Sequence, residues 1–137
     1  MTNGPKPMRI LCLDDQPAPL EAYKCVLEPH GYEVVTALDS IEALGIMVKE
    51  PVDLLIQDLG RPGINGFELY VMLKANERLK NIPVVICSGA STRKFLDRYP
   101  NVEGALDKPF DVLHLLDVVR KALGPVGNER SGVALPN

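Results

Sequence analysis

Val52-Asp53-Leu54-Leu55-Ile56-Gln57-Asp58-Leu59-Gly60-Arg61-Pro62-Gly63-Ile64-Asn65-Gly66 carries an apolar run, Leu54 to Ile56, into a carboxylate and then into a loop rich in glycine and proline. A short apolar run bounded by turn residues predicts a buried strand, with Asp58 at its C-terminal end. Beyond the loop, Asn65 can cap a helix with Glu68 at its third position, and Leu69, Met72 and Leu73 form an apolar stripe. In open parallel α/β sheets, ligands bind outside the carboxyl ends of the strands. The fold therefore turns on whether the rest of the chain repeats this strand-then-helix pattern.

It does so in both directions. Met8 to Leu13 predicts a first strand ending in Asp14-Asp15, and Gln16-Pro17-Ala18-Pro19 leads into a helix with Leu20, Tyr23 and Leu27 at helical spacing, closed by Pro29 and Gly31. Glu33 to Ala37 is β-branched and strand-like. Asp39-Ser40-Ile41-Glu42 has capping-box form, and Leu44, Met47 and Val48 give the following helix its stripe before Pro51. Pro83 to Cys87 predicts a fourth strand ending in Ser88-Gly89-Ala90. Thr92 to Arg98 predicts a stunted helix, and Gly104 to Asp107 a fifth strand followed by Lys108-Pro109. Asp111 caps a last helix with Val112, Leu115, Leu116, Val119 and Leu123 on one stripe, ended by Gly124-Pro125. The alternation implies an α/β domain over residues 8–124 with a doubly wound five-stranded parallel sheet, helices on both faces, and flexible tails at 1–7 and 125–137.

Bulk composition narrows the function. At 137 residues and 46% hydrophobic, the chain suits one globular domain. A net charge of −3 supplies no basic field for nucleic acid or anionic membrane. No apolar stretch suits a membrane span and no signal peptide precedes Met8, so a cytoplasmic location is expected. Cys12, Cys25 and Cys87 lack metal-site spacing and read as reduced thiols. His30, in a helix-ending turn, and His114, on the outside of the last helix, are not placed for chemistry. Arg93, Lys94 and Arg98 read as a solvated basic face.

Four of the five strands end in chemistry: Asp14-Asp15, Asp58, Ser88 and Lys108. Any one alone is an ordinary cap or surface group; in a parallel sheet all four meet on one edge. Clustered carboxylates need a cation, and an all-oxygen donor set suits Mg²⁺. A carboxylate can attack phosphorus to form an acyl phosphate. Lys108 would neutralise phosphoryl charge from a wet polar edge, and Ser88 could donate to a phosphoryl oxygen.

These residues, with Pro62 and Gly66 beyond Asp58, Gly31-Tyr32-Glu33-Val34, Glu42-Ala43-Leu44 and Lys108-Pro109-Phe110, make the chain resemble the receiver domains of two-component response regulators, of the stand-alone, chemotaxis-regulator-like kind. The resemblance implies a flavodoxin-like sheet of strand order 2-1-3-4-5. It implies Asp58 as phospho-acceptor, Asp15 as direct Mg²⁺ ligand, Asp14 acting mainly through water, and the Gly60 carbonyl as a backbone ligand. Ser88 matches the switch hydroxyl and Lys108 the phosphate-facing lysine, its bond to Pro109 commonly cis. Implied partners are a sensor histidine kinase or phosphotransfer protein and a downstream protein, with no nucleic acid or membrane contacted directly. No catalysis beyond the domain's own phosphorylation and dephosphorylation is implied. Two residues depart from the pattern: Ala105 stands where the family has an aromatic switch residue, and Arg61 where methionine is common. Ser88 to Lys108 is also short. Competing readings are a haloacid-dehalogenase-type phosphatase and a degenerate receiver serving as a scaffold. The former resembles Asp-x-Asp after its first strand, unlike the adjacent Asp14-Asp15 here.

Overall fold

Five parallel strands in the order β2-β1-β3-β4-β5 form the central sheet of the computed structural model, which describes residues 6–59, 66–89, 96–97 and 101–124. In chain order the elements are β1 (Arg9–Leu13), α1 (Pro17–Leu27), a 3₁₀ turn (Glu28–His30), β2 (Glu33–Ala37), α2 (Ser40–Lys49), β3 (Leu54–Asp58), α3 (Gly66–Ala75), β4 (Val84–Ser88), β5 (Gly104–Asp107) and α4 (Val112–Leu123). β3 lies at the centre, paired with β1 and β4, and all five of its residues are buried. Such a strand loses both faces to the core, which explains its continuous apolar run in place of alternation.

The period-two geometry of the strands sorts their side chains into two cores. Ile10, Cys12, Ile56, Val85, Cys87 and Leu106 pack against α1 and α4. Leu11, Leu13, Leu55, Val84 and Ile86 pack against α2 and α3. Each buried Leu or Ile contributes about 1.5–3 kcal/mol relative to exposure.

Local signals close most elements as expected. Pro17 opens α1, and Gly31 ends the 3₁₀ turn at φ 94°, a conformation that favours glycine. The Asp39 side chain accepts from the Glu42 N–H, while the Glu42 carboxylate reaches one residue further back than a standard capping box, to the Leu38 N–H. Asp111 caps α4 through the His114 N–H. At the sheet edge remote from the strand C-termini, Arg9 pairs with Glu33 and Glu50, and its N–H donates to Asp53.

Three stripes differ from expectation. Val48, Met72 and Val112 are 43–49% exposed. The buried arc of α2 centres on Ala43 and Met47, a clean i, i+4 pair that turns Val48 outward. On α3, Tyr70 takes the buried place expected of Met72, because its hydroxyl reaches the Asn101 N–H at 3.1 Å. α4 buries Val118 in addition to Leu115, Leu116 and Val119, leaving Val112 at its open first turn. The Asn65 cap lies outside the described residues. So does the expected Thr92–Arg98 helix, apart from Leu96 and Asp97, which form a turn. No helix among the described residues is long and apolar enough to cross a membrane.

Candidate functional site

Register alone brings the acidic residues level. Leu13 pairs with Gln57, so Asp14 stands beside Asp58 at the same height on the sheet. Asp58 pairs with Cys87, and Ser88 with Asp107, so the ends of β4 and β5 continue the row. Because every strand is parallel, four expected groups meet on one edge.

Carboxylate oxygens of Asp14, Asp15 and Asp58 all lie within 4.8 Å of one another. Asp14 and Asp58 are each 1% exposed, and Asp15 is partly exposed. Two like charges at that spacing repel by about 3 kcal/mol at an effective dielectric of 20. Lys108 offsets this: its Nζ lies 2.6 Å from Asp14 Oδ2 and 3.0 Å from Asp58 Oδ1. Burial opposes the ammonium charge, but hydrogen bonds and attraction from Asp14 and Asp58 outweigh it and raise the Lys108 pKa above its ordinary value. Lys108 is thus not at a wet polar edge. Its side chain is 23% exposed and bridges two buried anions.

The backbone fixes these side chains. The Lys108 N–H donates to the Ser88 carbonyl at 2.8 Å, tying β5's exit to β4, and the Lys108–Pro109 bond is cis. The Leu59 N–H donates to the Cys87 carbonyl at 2.8 Å, anchoring the residue after Asp58. Asp14 uses its second oxygen, Oδ1, to accept from the Gln16 N–H at 3.0 Å. Both Asp14 oxygens are therefore engaged within the protein. Ser88 is wholly buried at the strand end.

All three donors are carboxylate oxygens, the ligand class of Mg²⁺ and other hard cations. The donor set fits such an ion, which would take oxygens from Asp14, Asp15 and Asp58. Gly60 and Arg61 lie outside the described residues. Ala105 is partly buried on β5 against the α2/α3 core. His30 Nδ1 meets the Val26 carbonyl in the turn after α1, and His114 is exposed on α4.

Sequence reasoning passed over what lies beneath the site. Tyr23 was legible as a stripe residue and Cys87 as a buried thiol, yet the Tyr23 ring also stacks on Phe110, two residues after Lys108. Only the identity of the residue gave a signal: an aromatic ring at a fully buried helical position packs favourably against another ring.

The family model described as "Response regulator receiver domain" matches residues 10–120. The chain is 35% identical, over 84% of its length, to the DNA-binding dual master transcriptional regulator RpaA of Synechocystis, and spans 48% of that protein. It is 29% identical to Protein PilH of Pseudomonas aeruginosa, covering 84% of this chain and 97% of that one. Among solved structures it resembles the response regulator TrrA of Thermotoga maritima in complex with Mg²⁺–BeF, with TM-score 0.75, 29% identity, and coverage of 85% and 99%. A parallel sheet in the order 2-1-3-4-5, an acidic cluster bridged by a lysine, and a match over nearly the whole described chain converge: the protein belongs to the response regulator receiver domain family and is a signalling module of two-component phosphorelays.

Proposed function

We propose that the protein accepts a phosphoryl group on Asp58 from the phosphohistidine of a sensor histidine kinase or phosphotransfer protein, and passes the signal by protein contact or by onward phosphotransfer. The observation that carries this is Lys108 Nζ held 3.0 Å from Asp58 Oδ1, on an edge shared with Asp14 and Asp15. An Asp58 oxygen attacks phosphorus, the P–N bond to the donor breaks, and an acyl phosphate results. Asp15, Asp14, Asp58 and the Gly60 carbonyl would hold Mg²⁺, which supplies charge neutralisation on the phosphoryl oxygens. Lys108 would leave Asp58 for a phosphoryl oxygen, and Ser88 would donate to another after turning out of its buried pose. Catalysis is confined to the protein's own phosphorylation and dephosphorylation, and the protein works in the cytoplasm without direct contact to nucleic acid. The adjacent Asp14-Asp15 pair and the position of Asp58 on the central strand speak against a turnover phosphatase.

Incubation with acetyl phosphate and Mg²⁺, followed by intact mass measurement, tests the assignment. One added phosphoryl group is expected, dependent on the divalent ion, labile in base, and absent from Asp58→Asn. Persistence of the added mass in that variant would move the acceptor elsewhere.

A further inference from the structure

α2 carries two apolar stripes. Ala43 and Met47 face the core, while Ile41, Leu44 and Val48 recur at i, i+3 and i+7 on an adjoining side. Ile41 is 85% exposed and Val48 43%. On α3, Met72 is 49% exposed, and between the two helices Ile41, Leu44, Leu69 and Met72 line a groove of about 260 Å³. Single exposed apolar side chains are ordinary, but four lining one groove on neighbouring helices mark a contact surface.

The charges on this face are ordered along it. Both helices connect parallel strands on the same side of the sheet, so they run in one direction. At their N-terminal end Asp39, Glu42 and Glu68 are exposed. At the C-terminal end a second groove, of about 360 Å³, is lined by Lys49 and Arg78. The acids at that end are already engaged, Glu50 by Arg9 and Glu77 by Lys80. Lys49 and Arg78 hold no ion pair among the described residues. The face is therefore acidic at one end, apolar in the middle and basic at the other.

Such a pattern is complementary to itself when turned end for end. A two-fold axis lying in the interface and crossing both helices sets α2 against α2 and α3 against α3, antiparallel. The apolar stripes then meet, Glu68 approaches the partner's Arg78, and Asp39 and Glu42 approach the partner's Lys49. A uniformly acidic or basic partner would satisfy one end and repel the other. We propose that the α2/α3 face is a docking surface for a second copy of this chain, forming an antiparallel dimer of two-fold symmetry. Each helix has 10 residues, about 15 Å, so the contact is at the small end of interface sizes and the dimer exchanges with monomer as concentration changes. The surface uses none of Asp14, Asp15, Asp58 and Lys108, so the inference stands apart from the phosphoryl chemistry.

The test is sedimentation velocity of the full chain from about 10 µM to about 1 mM, the range in which so small an interface assembles. Wild type should pass from monomer toward dimer. Ile41→Glu, at a position too exposed to disturb the core, should stay monomeric. Glu68→Lys and Arg78→Glu should each weaken the dimer about tenfold, because the symmetry removes two exposed pairs at once. An equal mixture of those two variants, or the two changes combined in one chain, should restore the wild-type affinity, since opposite charges face each other again. Leu113→Lys, on the exposed side of α4, should leave the dimer unchanged. A wild type monomeric throughout would overturn the proposal and leave the groove to a different protein. A dimer that survives Ile41→Glu, a mixture no tighter than either variant alone, or loss of the dimer in Leu113→Lys would also overturn it.

Discussion

Lys108→Ala removes the one cation bridging Asp14 and Asp58 among the described residues, and its consequences can be estimated from the geometry. The lysine contacts lie at 2.6 and 3.0 Å, and both carboxylates are 1% exposed. Removing one partner of a buried pair costs about 3–5 kcal/mol. The lysine is 23% exposed, so water enters the vacated space and the cost falls to about 2–3 kcal/mol. For a chain of 137 residues, about 4 °C of midpoint accompanies each kcal/mol, giving a metal-free midpoint about 8–12 °C lower. About half of the loss should be recovered in excess Mg²⁺. Without a competing ammonium, the carboxylate site binds the ion more tightly, and a tenfold gain returns about 1.4 kcal/mol once metal is in excess. The assay is thermal unfolding of both proteins across a Mg²⁺ titration, with metal affinity taken from the midpoint shifts. An unchanged midpoint in the metal-free variant, or Mg²⁺ raising both midpoints equally, would refute the view that Lys108 and the metal compete for the same carboxylates.

Three further outcomes are expected. Asp15→Asn should weaken Mg²⁺ binding more than Asp14→Asn, since both Asp14 oxygens already serve Lys108 and the Gln16 N–H; titration of the two variants side by side decides it. Burial, the leading cause, pushes the Cys87 thiol up to about 11 from 9.0, so between those values the unfolded chain loses a proton that the folded chain keeps. Stability that is fully present below about pH 9 should therefore fall as pH rises toward 11, and less so in Cys87→Val, as read by urea unfolding at stepped pH. At the output face, Ala105 has no ring to swing, and a bound group shifts a conformational equilibrium only through differential contacts. Amide NMR shifts on adding beryllofluoride with Mg²⁺ should then concentrate around residues 88–94, with little change along 105–120; large shifts through Ala105 and α4 would sink that expectation.

The order of strands and helices was legible because each element carries its own local signal. A buried central strand reads as Leu54-Leu55-Ile56, a cap as Asp39 or Asp111, and a helix end as Pro29-Gly31. The site residues were legible for a related reason: parallel strands send every C-terminus to one edge, so Asp14, Asp15, Asp58, Ser88 and Lys108 could be grouped from position alone. Helix faces were less legible where two neighbours compete. Met72 and Tyr70 are both apolar enough to be buried, and the choice fell to Tyr70 through a hydrogen bond to Asn101, 31 residues away.

What only the tertiary structure decided is how the groups at the edge are held. The sequence by itself determined that Lys108 follows a strand and that Tyr23 lies on an apolar stripe. It could not determine that the lysine bridges two buried carboxylates, or that the tyrosine ring stacks on Phe110. Chain position specifies which end of the sheet a residue occupies, through periodicity and direction that are local properties. Ion-pair geometry and ring stacking depend on distances between segments 50 or more residues apart in the chain, and those distances exist only once both cores have packed.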